Sequence, residues 1–316
     1  LRKLVAGLVG LGRCVVVFDY LGLFRDVVAG VGGVSVDVSR YPIHPFSLVA
    51  RRECGLPSGA PSARVRAFAE ALATAMGVGV VQVGLLVEGV MRAFKARGVR
   101  EGDTSTWGRE PPTIQDVLRY VGGGGIEEGV KLRVRLTSLA MVYEGREPLS
   151  IARLRRLVRE RKAVALDMSG CDPYVRVFMT DILLRRLTSY AEASGTKLGY
   201  VVVIDEAKYA GFFERGVGEG VVRPAATLPL TARNYGLTLI TATQGVTHIP
   251  PDILRNTATK VIGTLTHPPD LNYIQEATDI DPQHPRTLSR GEAIVTMKPT
   301  KTPPKISEVI IKAKIT

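Results

Sequence analysis

Tyr200-Val201-Val202-Val203-Ile204-Asp205-Glu206-Ala207 is a short apolar run that ends abruptly in two carboxylates. A strand buried on both faces of a parallel sheet reads as a continuous Val/Ile run, and in open α/β sheets ligands bind at the carboxyl ends of such strands. In a nucleotide-hydrolysing site the first carboxylate holds the Mg²⁺ shell and the second orients or deprotonates the attacking water. A buried strand that merely ends in acidic surface residues gives the same pattern, so the rest of the chain decides.

Working outward, apolar runs bounded by Asp, Gly or Pro recur at Cys14–Asp19, Ala163–Asp167, Leu237–Ala242, Lys260–Leu265 and Glu292–Met297. Helical patterns separate several of them, which predicts an α/β fold with a largely parallel, doubly wound sheet. Leu1–Val9 reads as the tail of a helix running into the first strand, and Glu308–Ile315 as a final strand. Between about Pro57 and Glu147 strand runs vanish and helix-period patterns take over. Val65, Phe68, Ala69, Leu72, Ala73 and Met76 line one helix face behind Ser62 as N-cap, and Thr113 and Asp116 stand at capping-box spacing. The expected division is a domain made of residues 1–56 and 148–316, interrupted by an all-α subdomain over 57–147.

The 316 residues carry a formal net charge of +12, which points to a polyanionic partner, either nucleic acid or an anionic membrane surface. Arg153, Arg155, Arg156, Arg159, Arg161 and Lys162 cluster ahead of one strand, as a solvated helix face or as phosphate contacts. The three cysteines share no CxxC spacing, so buried, reduced thiols are expected. No window is long enough and apolar enough for a transmembrane helix. His44, His248, His267 and His284 have no partner at metal-ligand spacing, and neither a G-x-S-x-G elbow nor a Cys/His signature occurs.

Taken in order, the landmarks resemble the HerA/FtsK superfamily of DNA-pumping ATPases. Val15-Val16-Val17-Phe18-Asp19-Tyr20-Leu21-Gly22 is similar to the family's strand ending in Asp-x-x-Gly. Ala163–Gly170 is similar to the strand ending in "D-hydrophobic-S", Asp205-Glu206 to Walker B, and Arg233-Asn234-Tyr235-Gly236 through Ala242-Thr243-Gln244 to the element ending in Ala-Thr-Gln. Asn256–Gly263 and Leu288–Ala293 resemble the family's closing segments. Within the superfamily the chain resembles the archaeal HerA-like and conjugation-type (type IV secretion) motors, including the archaeal Ced-type DNA-import ATPases. Leu23 stands where the HerA branch often has Glu, which favours the conjugation type.

The resemblance implies a RecA-like P-loop NTPase fold, with ATP and Mg²⁺ as cofactors and a homo-hexamer moving DNA through its pore. It implies that Asp205 and Asp19 serve nucleotide and metal binding, with Asp205 reaching Mg²⁺ through water. Glu206 is then the catalytic carboxylate, Gln244 reads the water or γ-phosphate, and Arg233 is an arginine finger across a subunit interface. Arg215 and Arg223, in a Gly-rich pore-loop candidate over residues 211–223, would contact DNA. The expected setting is cytoplasmic, at the inner face of a membrane beside a channel protein. The alternatives are an end-resection motor with a nuclease partner and a silent scaffold on the same fold. No G-x-x-x-x-G-K-[S/T] occurs among the 316 residues, and Ser194-Gly195-Thr196-Lys197 has the wrong order. The resemblance places that loop ahead of a helix like the one read at Leu1–Val9, so it is expected upstream of Leu1.

Overall fold

A computed structural model describes residues 1–48, 60–122, 127–207, 231–249, 251–278, 280–297 and 309–314. Its contacts divide the chain into two compact units, Leu1–Ala242 and Thr243–Thr316.

The first unit is built on five parallel strands, β1 (Cys14–Asp19), β2 (Val34–Asp37), β3 (Ala163–Asp167), β4 (Tyr200–Ile204) and β5 (Leu237–Thr241), in the order β2-β3-β1-β4-β5. The three central strands are buried along almost their whole length, which is why they read as unbroken apolar runs. One face gathers Val15, Val17, Ala163, Ala165, Val201 and Val203. Val5 of α1 (Arg2–Gly10), Val28 of α2 (Arg25–Gly30) and the adjoining Phe24 pack against them. Each fully buried Val or Ile here contributes about 1.5–3 kcal/mol relative to exposure.

The segment between β2 and β3 is helical, as its periodicity predicts. It holds α3 (Pro61–Met76), α4 (Val80–Ala96), α5 (Ile114–Leu118) and α6 (Glu127–Tyr143). Helix α3 packs on the 22-residue α8 (Pro173–Ser194), with Phe68 edge-on to Phe178. The Thr113/Asp116 capping box forms in full. Ser62 is not the cap of α3: the helix begins one residue earlier at Pro61, whose fixed φ suits the first turn, and the Ser62 hydroxyl and N–H turn to Glu101. The basic cluster lies on and just after α7 (Ile151–Arg161), whose buried side is Ile151, Leu154 and Val158.

The second unit carries a separate three-stranded antiparallel sheet, β6 (Thr259–Ile262), β7 (Glu292–Met297) and β8 (Val309–Lys314). Two of the runs read as strands of the main sheet therefore sit in this one. Its core joins Leu254 of α9 (Pro251–Asn256) and Ile274 of α10 (Pro268–Thr278) to Ile262, Ile280, Leu288 and Ile294.

Candidate active site

The parallel register lines up four aspartates across the carboxyl edge of the main sheet. Asp37 pairs with Asp167, and Asp167 with Asp19. One residue past the β1–β4 pair Phe18 and Ile204, Asp19 and Asp205 stand side by side. Neighbouring strands are about 4.8 Å apart, so the row concentrates negative charge along one rim.

Three of the four have internal work. Asp19 is fully buried, and its two oxygens accept the backbone N–H groups of Leu23 (2.9 Å) and Phe24 (2.8 Å), tying the start of α2 to the end of β1. Gly22 makes that turn possible. Its φ is +72°, and a Cβ would lie 3.2 Å from Ser169 Oγ. The Asp-x-x-Gly pattern is thus accounted for by turn geometry. Asp167 accepts Ser169 N–H (3.0 Å) and O–H (2.6 Å) on one oxygen and the Arg25 guanidinium (2.7 Å) on the other. Burial opposes its ionisation, but these donors outweigh burial and hold the carboxyl below the usual range. Asp37 repeats the arrangement with Ser39 (2.9 and 2.6 Å). The sequence carries this repeat as Asp37-Val38-Ser39 and Asp167-Met168-Ser169; only the second follows an apolar run that reads as a strand, and Arg25 belongs to no sequence motif.

Asp205 is different. Burial, and after it the carboxylates of Asp19 and Glu206, push its carboxyl above the usual range, while Arg2 at the start of α1 pulls the other way. Glu206 is buried and has φ 62°, one of two non-glycine residues with positive φ among the described residues. A left-handed non-glycine residue costs roughly 1–2 kcal/mol, and such strain concentrates at functional positions. The bend is locked on both sides: Ala242 N–H donates to Ile204 O (2.9 Å) and Ala207 N–H to Ala242 O (2.7 Å). After β1, the buried Tyr20 hydroxyl hydrogen-bonds Thr180 Oγ1 (2.9 Å), and burial pushes its pKa up.

Asp19, Asp205 and Glu206 are therefore brought together. Arg233 is not with them. It is exposed on the short 3₁₀ turn Ala232–Tyr235 ahead of β5, at the amino edge of the sheet. The five residues of β5 put roughly 17 Å between the two edges. The glycine of its Arg-x-x-Gly pattern is structural: Gly236 has φ +68°, and a Cβ there would meet Lys197 Cβ at 2.7 Å and Leu198 N at 2.9 Å. Gln244 is exposed and belongs to the second unit, beside a turn closed by Thr243 Oγ1 and Gly245. Arg215, Arg223 and the 211–223 pore-loop candidate lie outside the described residues.

Among the described residues no three Asp, Glu, His or Cys side chains converge on a metal position. The surplus charge around Asp205 nevertheless suits a divalent cation that keeps its waters and takes its other ligands from phosphates, as Mg²⁺ does. His44 serves structure: its Nδ1 accepts Phe46 and Ser47 N–H (3.1 Å each), and burial, with Arg186 nearby, lowers its pKa to about 4. No helix among the described residues is long and apolar enough to cross a membrane.

A parallel sheet with an acidic pair at the end of a central strand, flanked by helices, is the RecA-like P-loop NTPase fold. No protein-family model matches the chain, and no curated protein sequence does. Solved structures do. VirB4 of Thermoanaerobacter pseudethanolicus superposes over 98% of this chain and 83% of its own, with a TM-score of 0.72 and 15% identity. The bacterial conjugative coupling protein TrwB, in its ΔN70 form, covers 99% and 74%, with a TM-score of 0.51 and 11% identity. The fold is thus one that VirB4 and TrwB share. The genome packaging NTPase B204 of Sulfolobus turreted icosahedral virus 2 overlaps only 49% of the chain and 66% of its own at a TM-score of 0.36 and 19% identity, too loose a match to bear on the fold.

Proposed function

We propose that this chain is the motor of an ATP-driven DNA translocase, powering DNA transfer or uptake through a membrane-associated, conjugation-like machine. The observation that carries the reading is the Asp205-Glu206 step. One carboxyl is pushed toward neutrality by burial and like charge and so accepts a cation, and the next is held in a strained, buried bend. Bound ATP and Mg²⁺ supply the phosphoryl chemistry. Asp205 holds the hydrated metal, with Asp19 keeping the rim negative and the β1–α2 turn rigid. Glu206 takes the proton of the attacking water, and Gln244 hydrogen-bonds that water or the γ-phosphate.

Arg233, a strand's length from its own carboxylates, acts as a finger on a neighbouring subunit's nucleotide. That requires a closed ring, here a homo-hexamer. Arg215 and Arg223 then grip DNA phosphates in the pore, supported by the surplus of positive charge. The helices over residues 57–147 form a subdomain inserted into the ATPase domain of residues 1–56 and 148–316. The fold shared with VirB4 and a conjugative coupling protein favours a channel protein at the cytoplasmic face of a membrane as partner.

ATP turnover by the full-length protein, with and without DNA, beside Glu206→Gln is the test. DNA-stimulated turnover that disappears in the variant supports the motor. Wild-type protein that neither binds nor hydrolyses ATP leaves a scaffold on a motor fold.

A further inference from the structure

The sheet is electrically polar. Its carboxyl edge carries the row of aspartates, and its amino edge gathers cations from the connections entering β1, β3 and β4. Val15 N–H donates to Lys162 O (2.7 Å), so Arg13, two residues before Val15, lies against the end of α7 with Arg159, Arg161 and Lys162. Cys14 pairs with Tyr200, which brings Lys197 to the other side of Arg13. All five are exposed, and among the described residues none has an acidic partner. The acids on this edge are Glu160, which is exposed, and Glu192, which accepts the Tyr235 hydroxyl (2.7 Å). Leu11, 80% exposed, lies in the turn from α1 into β1, between Gly10 and Gly12 and two residues before Arg13.

Two features set this edge apart from an ordinary solvated face. The most exposed large apolar side chain among the described residues, Leu11, sits in the same connection as Arg13. Lys162 also occupies the C-cap of α7 with φ 61°, where glycine is the unstrained choice. The chain keeps a cation there against its own backbone preference.

We infer that this amino edge docks on an anionic lipid bilayer. Leu11 enters the boundary between headgroups and acyl chains, and Arg13, Arg159, Arg161, Lys162 and Lys197 contact lipid phosphates. An aliphatic tip amid unpaired cations is the chemistry of interfacial insertion. A single-stranded nucleic-acid surface would instead present aromatic stacking platforms, whereas at this edge Tyr200 is buried and Tyr235 has its hydroxyl bound to Glu192. The surface lies at the opposite edge from Asp205 and Glu206, and the inference stands whether or not the chain hydrolyses ATP.

The test is co-sedimentation of the full-length protein with phosphatidylcholine vesicles, with and without phosphatidylglycerol. The expected result is salt-sensitive binding to the anionic vesicles alone. Lys162→Gly is expected to weaken it about fivefold, as loss of one interfacial cation does, while raising Tm because the strain is relieved. Leu11→Ser weakens binding without changing its salt dependence. Arg66→Glu, a charge reversal on exposed α3 surface, changes binding no more than the loss of net charge elsewhere does. Absence of binding, or equal losses in Arg66→Glu and Arg161→Glu, overturns the inference. So does a set of edge variants that lose DNA affinity while still binding vesicles, which would make this a nucleic-acid surface.

Discussion

At the scale of single residues the site is held under opposed forces, and each has a measurable sign. The folded state raises the Asp205 pKa, so it favours the protonated carboxyl. That contribution is fully present below the ordinary Asp value of about 3.9 and is lost as pH rises through the raised folded value. Asp205→Asn is therefore expected to raise Tm at neutral pH, with the gain shrinking as pH falls toward 4; thermal melts across that range check it. Mg²⁺ with nucleotide should raise the Tm of the wild type and leave Asp205→Asn nearly unmoved. Glu206 makes a second case. Glu206→Gly relieves roughly 1–2 kcal/mol of left-handed strain, so its Tm is expected to be no lower than wild type although turnover is gone. A Tm well below wild type would show that the buried carboxylate holds the bend together.

Secondary elements show where sequence was sufficient and where it was not. Runs such as Ala163–Asp167 were legible because burial on both faces forces every position to be apolar. Strand β2 was not: it is four residues long, lies at the sheet edge and alternates Val34-Ser35-Val36-Asp37, too short a pattern to stand out from a loop. Strand β6 was legible as a strand but not as part of a second sheet. Its buried positions are Ile262 and Lys260, whose ammonium reaches Thr257 O, while Val261 faces outward, so the apolar run does not follow the buried face. The resemblance assigns Asp205, Glu206 and Asp19 to one nucleotide site, and the sheet register sets Asp205 beside Asp19, whereas the place of Arg233 at the far edge depended on which end of β5 its turn caps. Two element-level costs follow. Thr113→Ala removes half of a capping box and should cost about 1 kcal/mol in denaturant unfolding. Gly236→Ala meets both a positive φ and backbone at 2.9 Å, so about 1–3 kcal/mol is expected.

For the whole molecule the separation of Arg233 from the acidic rim becomes a statement about assembly. If the finger acts across a subunit boundary, Glu206→Gln and Arg233→Ala subunits are each inactive alone. Mixed, they regain part of the turnover, because a ring containing both pairs an intact Arg233 with an intact Glu206 at some interfaces. Mixtures that stay silent, while wild-type subunits exchange normally, would place Arg233 in a structural role. The central claim, movement along DNA driven by ATP, is tested most directly by displacement of streptavidin from end-biotinylated DNA, single- and double-stranded, by the full-length protein. ATP-dependent displacement, absent with a non-hydrolysable analogue and in Glu206→Gln, is the expected result. ATP hydrolysis and DNA binding without displacement on either substrate would contradict it.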